Sequence, residues 1–467
     1  MKPFAFFWML SLLIVPAFSQ TQVPITYQAL KAYEGAYEYR NQSPFQIAAS
    51  PKDNRLYALI NEVKFELSYL GNDLFISKAQ EKLQFYRNET KQVIGYILDN
   101  TKFKLISKKV SFPRQLWYAR LDTANGYHYV KPKAVRDGLP TGHVSQSGLD
   151  TALLNQMVRK ISNGTYPNVH SVLIIKDGKL VFEEYFYEYT RDKLHELRSA
   201  TKSFVSALAG IAIDKGYLPN TNVPVLSFFP DYAVANLTDD KKQITLEHLL
   251  TNQSGLDCDV TRSDSPGTEY KMNTSDDWVK FTLDLPMLEP PGRIGRYCSG
   301  NTILAGRIVE KQTKMPLPDF AKQTLFKGLG VKKYIWNFKP DKSSEETICE
   351  VFLTSRDMAK FGLLYLNNGQ WQGKQVISAD WVKRSLSKHS VVQGVNYGYF
   401  WWLKYLDSDG VRYFGKAAQG NGGQKIFLWE EQNMVTVITG GNYNVQSPSD
   451  ELIKRYILPA FNKKKEQ

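Results

Sequence analysis

The sequence predicts an α+β protein in two parts. A small all-β, barrel-like domain comes first. A larger domain follows, in which an antiparallel sheet carries flanking helices and a helical subdomain. Three observations predict this. Residues 33–106 hold eight short runs rich in β-branched and aromatic residues, each closed by turn residues. The middle of the chain is helical and loop-rich. Strand-like runs return near the C-terminus, as expected of a sheet built from both ends of the larger domain.

Composition excludes several classes. The chain has 467 residues, 43% hydrophobic and 22% charged, so it can bury large cores and is not intrinsically disordered. Its length suggests two to four domains. Lys and Arg exceed Asp and Glu by 13. Scattered surface lysines explain that excess, because the longest cationic run is Lys463-Lys464-Lys465. No Cys/His finger spacing or basic heptad region supports nucleic-acid binding.

The first residues read as a signal peptide, 1–19. Lys2 is followed by a run from Phe4 to Phe18 broken only by Ser11 and Pro16, with Ala17 and Ser19 before a cut at Gln20. No later apolar stretch reaches about 18 residues. A soluble exported chain, periplasmic or secreted and without a transmembrane segment, is therefore expected. Three cysteines (Cys258, Cys298, Cys349) allow at most one bridge, with three pairings open.

The β-domain is assigned to residues 26–110. Its runs are Tyr33–Tyr39, Phe45–Ala49, Arg55–Ile60, Lys64–Tyr69, Leu74–Ser77, Lys82–Tyr86, Val93–Leu98 and Lys102–Ile106. They suggest a barrel or sandwich without chemistry of its own. Residues 111–147, with three prolines, read as a linker with some structure. The larger domain takes residues 148–467. Apolar spacing over Leu149–Ile161 predicts a helix stopped at Asn163-Gly164. Ser171–Lys176 and Lys179–Phe186 flank Asp177-Gly178 and predict a hairpin. Ser203–Ile213 is an Ala-rich apolar helix and Thr302–Lys311 another. Gln424–Trp429 and Met434–Thr439 read as paired strands, and Leu452–Leu458 as a helix stopped by Pro459.

Ser199 and Lys202 head the Ala-rich helix. Their spacing places hydroxyl and amine one turn apart on one face. A serine needs a base to become a nucleophile, and a desolvated lysine can be that base. The helix N-terminus favours the charge that develops on attack. The same spacing recurs at Ser385/Lys388, in a polar stretch expected to face solvent.

Further stretches follow in order: Ile244–Leu256, Pro291-Gly292 through Tyr297 to Glu310, Thr354–Gly362, and Gly420–Gln424. With Ser199–Lys202 they resemble the serine hydrolases that share the fold of class C β-lactamases, D-Ala-D-Ala carboxypeptidases and related esterases and amide hydrolases. The resemblance covers about residues 149–465. Residues 33–106 resemble the small β-barrel often attached to such enzymes.

The resemblance implies that Tyr297 shares a proton with Lys202 and passes it to the leaving group. It sits where the family has Tyr-x-Asn, and Ser299 replaces the Asn as a shorter substrate donor. The literal matches at Tyr39, Tyr86, Tyr166 and Tyr365 lack that context. Asn421-Gly422-Gly423 stands where lactam-cleaving members carry a cation, which disfavours strong β-lactamase activity. By resemblance the backbone N–H groups of Ser199 and Gln424 form the oxyanion hole, with Gly423 allowing close approach of substrate. It also places Cys258 near the site, so a Cys258–Cys298 bridge is expected.

No cofactor is expected. No G-x-S-x-G elbow or paired-His motif supports an α/β-hydrolase or metal site. His248 is expected to be structural and His195 to line the rim. The expected activity is cleavage of an ester or amide in a small-molecule or peptide-like substrate through an acyl-serine. The alternatives are a penicillin-recognising D-Ala carboxypeptidase or β-lactamase, and a non-catalytic binder of cell-wall peptides.

Overall fold

The computed structural model describes residues 24–39, 45–60, 63–77, 80–120, 126–340 and 350–462. The signal-peptide residues, Cys349 and the terminal lysines lie outside them. The chain divides into two units, the second beginning at Pro113.

In the first unit, eight strands form a closed antiparallel barrel: β1 (Gly35–Tyr37), β2 (Phe45–Ser50), β3 (Arg55–Ile60), β4 (Val63–Gly71), β5 (Leu74–Ser77), β6 (Lys82–Arg87), β7 (Val93–Leu98) and β8 (Thr101–Ser107). The barrel closes where β1 pairs with β8, Ala36 opposite Ser107. Closure leaves no strand edge open to other chains. Alternate residues point inward, and aromatic ones fill the interior. Tyr37, Phe75, Phe85 and Tyr96 are buried and meet mostly edge to face. The Tyr37 hydroxyl satisfies itself on the Tyr33 carbonyl at 2.6 Å.

The second unit is built on an eight-stranded antiparallel sheet. Its N-terminal contribution is β9 (Val169–Lys176) and β10 (Lys179–Tyr185). Short strands β11 (His195–Glu196), β12 (Ile335–Trp336) and β13 (Val351–Leu353) form a separate small sheet, and β14 (Gln370–Trp371) pairs with β15 (Lys374–Gln375). The C-terminal strands are β16 (Ser390–Val392), β17 (Val395–Tyr397), β18 (Trp402–Ser408), β19 (Val411–Gly420), β20 (Gln424–Trp429) and β21 (Met434–Gly440). The order is β10-β9-β21-β20-β19-β18-β17-β16. The two chain regions join where β9 meets β21, Val172 opposite Ile438.

Helix Thr201–Asp214 is buried on nearly every side, which is why its sequence is apolar all round rather than striped. Phe204 stacks on Phe361 of helix Ser355–Leu366 with ring centroids 3.7 Å apart. Gly362 lets that helix lie close against the sheet, because a Cβ there would meet Val435 at 2.6 Å.

Two expectations change, at Pro459 and at Ser385. The stretch read as a linker with some structure does carry structure, since residues 126–147 pack on the larger unit. The Tyr129 hydroxyl donates to Val181 O at 2.8 Å, and buried Arg356 binds Glu183, Asp137 and Lys133 O. Pro459 does not stop the last helix. A wide π turn over Ile453–Ile457 precedes it, and helix Leu458–Asn462 continues through the proline. Proline has no N–H to donate, and a widened turn absorbs that missing bond. Ser385 is buried rather than solvent-facing, at the end of helix Ala379–Ser385, while Lys388 is exposed. Among the described residues, no helix is long and apolar enough to cross a membrane.

Candidate active site

Ser199 lies in a single 3-10 turn, Arg198–Ala200, that runs directly into helix Thr201–Asp214. The turn is pinned to β13: Leu197 N–H donates to Val351 O at 3.0 Å, and Val351 N–H donates to Thr201 Oγ1 at 3.1 Å. Ser199 is partly exposed and Lys202 buried, with Lys202 Nζ 3.1 Å from Ser199 Oγ. The helical spacing in the sequence thus becomes a direct hydrogen bond.

Tyr297 comes from an extended segment before helix Ser299–Thr313. Lys202 Nζ is 5.0 Å from its ring centroid, and the Trp402 ring on β18 backs it at 5.3 Å. Two neighbours hold its backbone. Val260 N–H donates to Tyr297 O at 3.1 Å, and Cys258 is disulfide-bonded to Cys298. Ser199, Lys202 and Tyr297 are therefore brought together.

The remaining candidates divide. The Ser299 hydroxyl donates to Glu269 and is buried, so it is held by protein rather than offered to substrate. Gln424 pairs with Gly420 across the β19–β20 hairpin, and its side chain turns into the core. Nε2 donates to Gly440 O at 2.7 Å, and Oε1 accepts from Gly440 N–H at 3.1 Å. The backbone against the nucleophile is instead that of Gly420: a Cβ there would sit 2.3 Å from Leu197 O and 3.1 Å from Ser199 N. Asn421 follows it, exposed and tied to Asn444 by two bonds of 2.7 and 2.9 Å. Gly423 takes φ 102°, and a Cβ would collide with Ser447 Oγ at 2.2 Å. Its glycine serves the hairpin rather than substrate approach.

Sequence reasoning missed Asn252. Its Oδ1 accepts from Asn301 Nδ2 at 3.0 Å and from Cys298 N–H at 3.4 Å, and its carbonyl accepts from Arg296 N–H at 2.8 Å. It thus holds both sides of Tyr297. Its φ of 56° is a conformation Asn tolerates, and Asn252-Gln253-Ser254-Gly255 is turn-like in sequence.

His195 is buried, not at the rim. Its Nδ1 bonds Glu196 O at 2.9 Å and its Nε2 faces His170 Nδ1 at 2.8 Å. Burial is the main cause that pulls its pKa down to about 4. A neutral His195 donating from Nδ1 must accept at Nε2, so a second proton there would oppose His170. An unfolded histidine titrates near 6.5. Stability from neutral His195 is thus complete above about 6.5 and lost as pH falls toward 4. Calorimetry should show Tm falling over that interval in wild type and a smaller fall in His195→Gln. His248 closes a capping box with Thr245 and is structural. Among the described residues, no group of three or more His, Cys, Asp or Glu could hold a metal ion.

The fold is that of the β-lactamase/transpeptidase-like superfamily. The Beta-lactamase family model matches residues 156–455, and the chain belongs to that family. It is 26% identical over 212 residues to Protein flp of Staphylococcus aureus (strain MRSA252), covering 44% of this chain and 41% of that protein. It is 24% identical over 236 residues to the 6-aminohexanoate-dimer hydrolase of Paenarthrobacter ureafaciens, covering 46% and 56%. The chain thus spans less than two thirds of these relatives. The octameric penicillin-binding protein homologue from Pyrococcus abyssi shares the fold, with a TM-score of 0.53 at 19% identity over 68% of this chain and 78% of that one.

Proposed function

We propose that the protein is an exported hydrolase that cleaves an ester or amide through an acyl-Ser199 intermediate. The observation that carries this reading is the buried Lys202 amine 3.1 Å from Ser199 Oγ, with Tyr297 alongside. In the neutral amine form Lys202 takes the hydroxyl proton as Oγ attacks the carbonyl carbon. The oxyanion is met by the N–H of Ser199 and by the strand end at Gly420–Asn421, which replaces Gln424 in that role because Gly420 is the residue that touches the Ser199 turn. Lys202 passes that proton to Tyr297 as Tyr297 protonates the leaving group, whose bond to the carbonyl carbon breaks when the oxyanion collapses. Water then gives a proton to the same pair as it adds to the acyl carbon, and the acyl–Oγ bond breaks with that proton going to Ser199 Oγ.

The strand end beside Ser199 is neutral: Gln419, Gly420 and Asn421. That favours substrates that need no strand cation to grip a carboxylate, hence simple esters or amides before β-lactams. An amide substrate agrees with the name of the 6-aminohexanoate-dimer hydrolase to which the chain is similar.

The test is intact-mass spectrometry after a fluorophosphonate probe, with Ser199→Ala beside wild type. One adduct on wild type and none on the variant is expected. A panel of p-nitrophenyl esters, anilides and nitrocefin then ranks the bonds, with nitrocefin slowest. A folded wild type that takes no adduct would overturn the reading and favour a peptide-binding protein.

A further inference from the structure

Arg198 stands immediately before the nucleophile with φ 49°, in the left-handed region. L-residues avoid that region because Cβ crowds the following carbonyl oxygen, and glycine is the default where a chain needs it. A bulky residue persists there only where its surroundings over-determine the conformation. The surroundings do so on every side.

Arg198 Nε donates to Glu196 Oε2 at 2.8 Å, and Glu350 Oε2 lies 3.8 Å away. Glu196 is 4% exposed and the Arg198 side chain 16%, so this ion pair is largely withdrawn from solvent. The guanidinium also lies over the Tyr443 ring at 4.9 Å. Beneath the turn, Gly420 leaves no slack, because a Cβ there would be 2.9 Å from Arg198 Cβ. Arg198 is thus linked to the residue two before it and to the loop after β21, with Ser199 N–H as the next atom along the chain. A rotation at Arg198 would swing that N–H away from the reacting oxygen.

We propose that Arg198 is a positioning residue: its guanidinium, locked by Glu196 and the Tyr443 ring, holds the left-handed turn that aims Ser199 N–H and Oγ at the substrate carbonyl. The proposal rests on Ser199 being the nucleophile. An arginine contributes here what a glycine, with equal access to the conformation, cannot.

The experiment compares wild type with Arg198→Gly, Arg198→Lys and Tyr443→Leu in the full chain. It reads the second-order rate of fluorophosphonate labelling at Ser199, kcat and KM on a p-nitrophenyl ester, and Tm. Arg198→Gly relieves the backbone strain, so its Tm should not fall through the turn itself. Its labelling rate and kcat should drop about tenfold or more, with KM within about twofold, since complete loss of one oxyanion donor costs roughly 10²–10³. Arg198→Lys should recover part, by pairing with Glu196 without the flat stacking surface. Tyr443→Leu should fall between them. Labelling of folded Arg198→Gly within twofold of wild type would overturn the proposal. If that variant does not fold, unchanged labelling in Tyr443→Leu overturns it instead. No labelling of wild-type Ser199 overturns the hydrolase reading itself, and the clamp with it.

Discussion

Replacing Lys202 by methionine should lower kcat for ester hydrolysis by about 10²–10⁴-fold, the usual contribution of a positioned proton acceptor, with KM little changed. Methionine fills the same buried space, so the fold should survive. The informative companion is Lys202→Arg. A guanidinium keeps the positive charge but does not give up its proton at neutral pH. If Lys202 acts as a base, arginine cannot rescue activity. If it serves only as a local positive charge, arginine rescues in part. Steady-state kinetics on both variants, with melting curves to verify folding, separate the two roles.

The second large effect is expected from Cys258→Ser combined with Cys298→Ser. The two cysteines are 40 residues apart, and the loop-entropy model assigns a cross-link of that span about 4 kcal/mol. Tm should fall accordingly in the double variant. Activity should fall as well, because the bridge ties Cys298, the residue after Tyr297, to the segment whose Val260 N–H holds Tyr297 O. Both cysteines are 1% exposed, so a reductant should act on native wild type only slowly, and then reproduce the double variant. Melting curves and initial rates, with and without dithiothreitol, check this. Unchanged Tm in the double variant would mean that the bridge carries no stability.

The eight barrel strands were readable to within a few residues because alternation and turn residues are local signals. Closure of the barrel follows only from the family resemblance, since a barrel and a sandwich share that local pattern and differ only in whether β1 meets β8. The β9–β10 hairpin and the Ser199 helix were legible for the same local reason. Tyr297 is one of 27 tyrosines, and nothing in its immediate sequence singles it out. It was reached through resemblance, because its meeting with Lys202 is a contact across about 95 residues. The partner of Ser299 is likewise out of reach of a local pattern, since Glu269 lies 30 residues away.

By itself the sequence determined whatever is carried by neighbours along the chain. That includes the strand periods, the apolar helices, and a hydroxyl and an amine one helical turn apart. The tertiary structure alone decided which backbone lies against Ser199, that His195 is buried against His170, and that Asn252 holds the Tyr297 segment. It also decided that Arg198 is bound into a left-handed turn. These depend on where β19, β13 and the loop after β21 pack, and packing is set by distant residues that must share one volume, which no local pattern records.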